Sequence, residues 1–124
     1  MAPSSRPVSR PHRSEVWVVA FDPAIGSEIR KTRPALVIQN DVGNRWSPTT
    51  IVAAITSRIE RDRYPTEVDL RAPEGGLNRN SLVLLDQIRT VDRRRLVRRL
   101  GRVSPATQAR VDEAILISLG LVRL

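Results

Sequence analysis

The chain has no cysteine and only one histidine. The first absence removes disulfides, thiolate metal sites and thiol nucleophiles together. The second excludes a site that works with two imidazoles as acid and base, and His12, beside a polar N-terminal run, reads as an exposed residue. No apolar run approaches the length that spans a bilayer, and the first residues lack the apolar stretch of a secretory signal, so a cytoplasmic location is expected. The carboxylates Glu28, Asp41, Asp62, Glu67, Asp86, Asp92, Asp112 and Glu113 have no clustered ligand spacing, and no required metal is expected. A Gly-rich phosphate cradle, a His-Glu-x-x-His pair and a Gly-x-Ser-x-Gly elbow are all missing, which removes most familiar enzyme classes.

What is present is a chain of 124 residues, 40% hydrophobic and 27% charged, the size and composition of one globular domain. Its 21 basic residues outnumber 13 acidic ones for a formal charge of +8, which points to a polyanionic partner. Arginine-rich coding bias would produce the same excess, so charge alone carries modest weight. The type of charge adds to it: every basic residue but Lys31 is arginine, and a guanidinium holds phosphate in a bidentate geometry that an ammonium lacks.

The opening MAPSSRPVSRP is rich in Pro, Ser and Arg without periodicity, so residues 1–12 are expected to be a flexible tail and 13–124 the domain. EVWVVAFD (15–22) reads as a strand ending at Pro23, followed by a polar loop over 23–32 long enough to bind something. PALVIQN (34–40) reads as a buried strand, DVGNRWSPT (41–49) as turn, and TIVAAITS (50–57) as another core strand. TEVDL alternates like a half-exposed strand, Gly75-Gly76 marks a turn, and 81–88 is a further strand. Asp92 is placed to cap a short helical turn through RRRLVRRLG, with Leu96, Val97 and Leu100 inward. Ser104-Pro105 opens a terminal helix in which Ala109, Ala114, Ile115 and Leu119 recur at helical spacing, ended by Gly120. Five or six short strands and terminal helices make a small barrel or curled sheet closed by a helix.

The polar residues left at strand ends are Ser27, Arg33, Asn40, Thr56, Asp86, Gln87 and Arg89, where small barrels place their sites. Each has a structural explanation on its own: Arg33 tying down the loop through Glu28, Thr56 as a β-branched strand residue, Gln87 satisfying buried backbone.

GSEIRKTRPALVIQNDVGNRWSPTTIVAAITS and SLVLLDQIRTVD resemble the signature segments of the MazF/PemK toxins, and the resemblance runs from about Ser14 to the terminal VDEAILISLGL. It implies a mainly β fold with terminal helices, an SH3-like curled β-barrel of the MazF/PemK/CcdB-like kind, assembled as a homodimer. It also implies a type II toxin that cuts single-stranded RNA, often messenger RNA, at short sequences without a metal or cofactor, and a cognate MazE-like antitoxin with an acidic disordered segment. By the same resemblance Arg33, just before the strand-opening proline, and Thr56, closing Ala-Ala-Ile-Thr, are the catalytic pair. Ser27 and Gln87 resemble residues that contact RNA, and Glu28, Arg30, Lys31, Asn40, Asp86 and Arg89 complete the expected RNA-binding set. Some members instead use an Asp and an Arg one residue apart with a loop His; here Asp86 remains but Leu84 and Ser27 stand in the other two places. Another departure is Arg-Ser-Glu-Val-Trp at 13–17, where the family usually has Gly in place of Ser14. Two alternatives stay open: a non-catalytic toxin of the same fold that inhibits DNA gyrase, and a plain RNA-binding module. The gyrase-directed relatives carry a tryptophan at the end of their terminal helix, whereas this chain has its tryptophans at 17 and 46.

Overall fold

The computed structural model describes residues 10–21, 31–59 and 62–123. The element order is β1 (Glu15–Ala20), β2 (Thr32–Val37), α1 (Asp41–Trp46), β3 (Thr49–Thr56), β4 (Glu67–Leu70), β5 (Ser81–Asp92), β6 (Leu96–Arg102) and α2 (Pro105–Ser118), with 3-10 turns at Glu74–Gly76 and Arg93–Arg95. All six strands belong to one antiparallel sheet in the order β4-β5-β3-β2-β1-β6, so β4 and β6 are its edges.

The sheet is strongly curled, and one short connection requires it. Asp92 pairs with Thr49 at one end of β3, whereas Leu96 pairs with Val19 near the other end of β1. In a flat sheet those points would be separated by roughly 20 Å along the strands alone. Four residue steps reach at most about 14 Å. Curling brings the corners together and encloses Trp17, Val19, Ala35, Val37, Val52 and Val91, with Phe21 and Leu96 packed against them. The opposite face buries Val16, Leu36, Ala53, Ile55, Val83 and Leu85 under β4 and α2, which contributes Val111 and Ala114. Strands apolar on both faces are the continuous hydrophobic runs of the sequence.

Three sequence expectations are corrected. Residues 41–46 are helical: Asn40 caps the helix by accepting from the Gly43 N–H at 2.8 Å, and the fully buried Asn44 is tied on all sides, which offsets the low helix propensity of Gly43. Asp92 does cap a turn, its carboxylate accepting from Arg94 N, but only Arg93–Arg95 is helical and Leu96–Arg102 is an edge strand on β1. Val97, expected inward, is 58% exposed. The inner face of α2 is Thr107, Gln108, Val111 and Ala114, while Ala109 and Leu119 are exposed. Ser104 caps that helix through Thr107 N, as Ser-Pro implies.

Gly75 and Gly76 have positive φ and lie against β6, where a side chain on Gly101 would meet the Gly75 backbone at 2.6 Å. Among the described residues no helix is long and apolar enough to cross a membrane.

Candidate active site

Arg33 lies on β2 one residue after its start, and Thr56 is the last residue of β3. Their relation follows from register. Ala35 pairs with Ala54 and Val37 with Val52, so continuing the ladder by two residues sets Arg33 opposite Thr56. Side chains alternate along a strand, so both project from the same face as Ala35 and Ala54. Arg33 is exposed and Thr56 half-buried. The Thr56 Oγ1 accepts from Arg58 N at 3.1 Å, a local turn that occupies one lone pair and leaves the hydroxyl proton available to a ligand.

Both residues line a cleft of about 630 Å³ at this end of the sheet, together with Arg58, Asn78, Arg79 and Ser81. The size is that of a small-ligand pocket. Its described lining has three guanidiniums and no carboxylate. The Arg33, Arg58 and Arg79 side chains make no hydrogen bond or ion pair with any described residue. Four arginines elsewhere are ion-paired: Arg13 with Asp112, Arg63 with Asp69 at 3.3 Å, Arg94 with Asp92 at 3.0 Å and Arg99 with Glu15 at 2.9 Å. An electropositive cleft with unused donors is suited to an anion, and planar guanidiniums suit phosphate in particular.

Of the other residues singled out from the sequence, Lys31 is exposed immediately before β2. Asp86 and Gln87 are exposed in an irregularity of β5: Ala53 pairs with Ile88 but Ala54 with Leu84, leaving 85–87 outside the ladder. Leu85 turns fully into the core while Asp86 and Gln87 face solvent, the re-aiming that bulges provide. Arg89 pairs across from Val52 and sits 5.1 Å from the centre of the Phe21 ring. Asn40 belongs to the opposite end of β2 from Arg33, with its side-chain oxygen engaged as the α1 cap. Ser27, Glu28 and Arg30 lie outside the described residues. Sequence reading did not single out Asn78, Arg79 or Ser81 as site residues, and reached Arg58 only as the start of a 58–65 loop expected to read bases. The signal available was LNRNS, a polar run between a Gly-Gly turn and a core strand, which identifies a loop without saying which strand ends it faces.

Fold and cleft together define a class: a small curled-sheet protein with a cationic cleft, free of carboxylates in its described lining, at its strand ends. A family model for the PemK-like, MazF-like toxin of type II toxin–antitoxin systems matches residues 12–119. The chain is 46% identical over 110 residues to the endoribonuclease EndoA of Bacillus subtilis (strain 168), covering 89% of this chain and 95% of that protein. It superposes on the MazE–MazF structure (Form-II) from Deinococcus radiodurans with a TM-score of 0.77 at 29% identity, covering 92% and 99% of the two chains. An endoribonuclease in complex with its cognate antitoxin from a mycobacterial species gives a TM-score of 0.73 at 27% identity, with 92% and 99% covered. The chain belongs to the PemK-like, MazF-like toxin family of type II toxin–antitoxin systems.

That membership gives Ser14 a meaning. It has φ +80, the only non-glycine among the described residues at positive φ, and stands where the resemblance read from the sequence implies glycine. Its hydroxyl donates to Gln108 Oε1 at 2.8 Å and its backbone N–H to Val37 O at 3.0 Å, so two bonds hold the strained turn in place.

Proposed function

We propose that this toxin is a sequence-specific, metal-independent endoribonuclease that cuts single-stranded RNA by internal transesterification. The observation that carries the reading is the cross-strand placement of Arg33 and Thr56 on the wall of a cleft whose three guanidiniums have no partner among the described residues. In such a reaction the ribose 2′-oxygen bonds to phosphorus as the bond to the 5′-oxygen breaks. The proton lost at one oxygen is balanced by the proton gained at the other, leaving a cyclic phosphate and a 5′-hydroxyl. Arg33 donates two parallel hydrogen bonds to the phosphoryl oxygens and stabilises their developing charge, and the Thr56 hydroxyl adds a third donor. DNA, without the 2′-hydroxyl, is bound but not cut.

The toxin works as a homodimer in the cytoplasm, its working unit being residues 13–124. The exposed Leu116, Leu119, Leu121 and Val122 at the end of α2 are an apolar surface that a second copy would cover. A MazE-like antitoxin silences it by folding an acidic, otherwise disordered segment into the cationic cleft. Base selection belongs to Gln87 with Asp86 and Arg89 on β5, and to Ser27, Glu28, Arg30 and Lys31 before β2.

The test is incubation of wild type and Arg33→Ala with a long single-stranded RNA in excess chelator, followed by primer extension. Discrete cuts by wild type alone are expected. Intact RNA with wild type, or cutting that only added magnesium restores, would overturn the reading.

A further inference from the structure

Arg79 has no role in the reading above, yet its setting is that of a prepared anion ligand. It lines the same cleft as Arg33 and Thr56, on the 77–80 loop before β5. The loop is pinned around it. Leu77 is 7% exposed in the core, Asn80 Oδ1 accepts from Ala72 N at 3.0 Å, and the Ser81 hydroxyl donates to the carbonyl of Arg79 itself at 2.9 Å. Arg79 is nevertheless exposed, and its side chain has no partner among the described residues. A rigid backbone presenting an uncommitted guanidinium loses little entropy when an anion arrives, which is the condition for an effective contact.

One guanidinium would suffice for the charge on one phosphate. This cleft has guanidiniums from two separate segments, β2 and the 77–80 loop, which suits an anion with charges spaced along a chain. We propose that Arg79 binds the phosphodiester next to the one held by Arg33, so that the two arginines clamp successive phosphates and set the register of the strand in the cleft. Arg79 is thus a positioning residue for the reaction, and the inference rests on the nuclease reading for what Arg33 holds.

The experiment measures binding of a short, random-sequence, single-stranded RNA to Thr56→Ala protein, with and without Arg79→Ala or Arg79→Lys, between low and physiological salt. Each phosphate contact on a single strand contributes about 0.7 to the slope of log affinity against log salt. Arg79→Ala is expected to lower that slope by about this amount and the affinity by roughly tenfold. Arg79→Lys keeps the charge, so it retains the slope while losing part of the affinity with the bidentate geometry. In the protein with Thr56 intact, Arg79→Ala raises KM by a larger factor than it lowers kcat. An unchanged slope for Arg79→Ala, whatever the affinity does, overturns the proposal. If wild type cuts RNA and the slope is unmoved, the clamp falls and the nuclease stands. If the slope moves and wild type does not cut, the clamp stands and the nuclease falls.

Discussion

The two ends of the sheet use polar residues in opposite ways. At the end where α1 meets β3, they are spent on one another. The buried Asn44 donates to Gln39 O and Asp41 Oδ1, and accepts from the Thr50 hydroxyl at 2.7 Å and from Gln39 Nε2 at 3.0 Å. Asp41 also accepts from Arg13 N, which with Asn44 and the nearby cations holds its carboxyl below the ordinary range. Asp92 is bonded by Arg94 side chain and backbone, and its pKa is lowered to about 2. At the other end Arg33, Arg58 and Arg79 face a cleft with no carboxylate in its described lining. A satisfied network specifies structure, because every group in it has already traded water for a partner. Unsatisfied donors facing solvent add little to stability and stay available to a ligand.

Mutations at the two ends should therefore separate activity from stability. The largest effect is expected at the cleft: Arg33→Ala removes an electrostatic donor worth about 2.7–4 kcal/mol in the transition state, a roughly hundred- to thousand-fold loss of RNA cleavage. Its thermal midpoint should match wild type. A comparable fall in the midpoint would show that the cleft arginine is structural and erase the contrast.

Asn44→Ala should do the reverse. Leaving the buried Thr50 hydroxyl without its acceptor, while Gln39 keeps only its bond to Thr49 O, is expected to cost about 1–3 kcal/mol in urea unfolding. Cleavage by the protein that remains folded should stay near wild type.

Ser14 gives a finer test. Ser14→Ala keeps the positive φ and loses the bond to Gln108, so stability should drop by about 1 kcal/mol. Ser14→Gly loses the same bond but relieves a backbone conformation costing about 1–2 kcal/mol, and should come out level with wild type or slightly above. Equal losses for both variants would mean that the turn carries no strain.

The smallest effect is a pH dependence. Burial works to raise the Glu74 pKa, but bonds from Thr107 and from Ser104, whose N–H lies 3.0 Å from Oε2, outweigh it and leave the folded value below the ordinary 4.5. A depressed folded value contributes stability that is complete above the unfolded pKa and is lost as pH falls through the folded one. Melting midpoints should decline below about pH 4.5, and less steeply in Glu74→Gln, which no longer has that proton to gain.

Much of this was legible in the residues. The apolar runs of β1, β2 and β3, the Gly-Gly turn and the Ser-Pro start of α2 each act within a few residues, where propensity and pattern decide. The family signature singled out Arg33 and Thr56 as well. Local rules failed where a partner distant in sequence overrode them. DVGNRW becomes helical because Asn44 finds Thr50 and Gln39, and LVRRLGR becomes a strand because β1 offers an edge to pair with.

What the sequence by itself determined was the class of fold, the family and the sign of the charge, since these follow from composition and from motifs read along the chain. Which guanidiniums share a cleft was decided by the tertiary structure. Arg33, Arg58 and Arg79 come from three separate segments, and the pairing of β2 and β5 with β3 brings them to one cavity. Sequence spacing carries no record of that, because strand register and sheet curvature are set by packing between residues far apart in the chain.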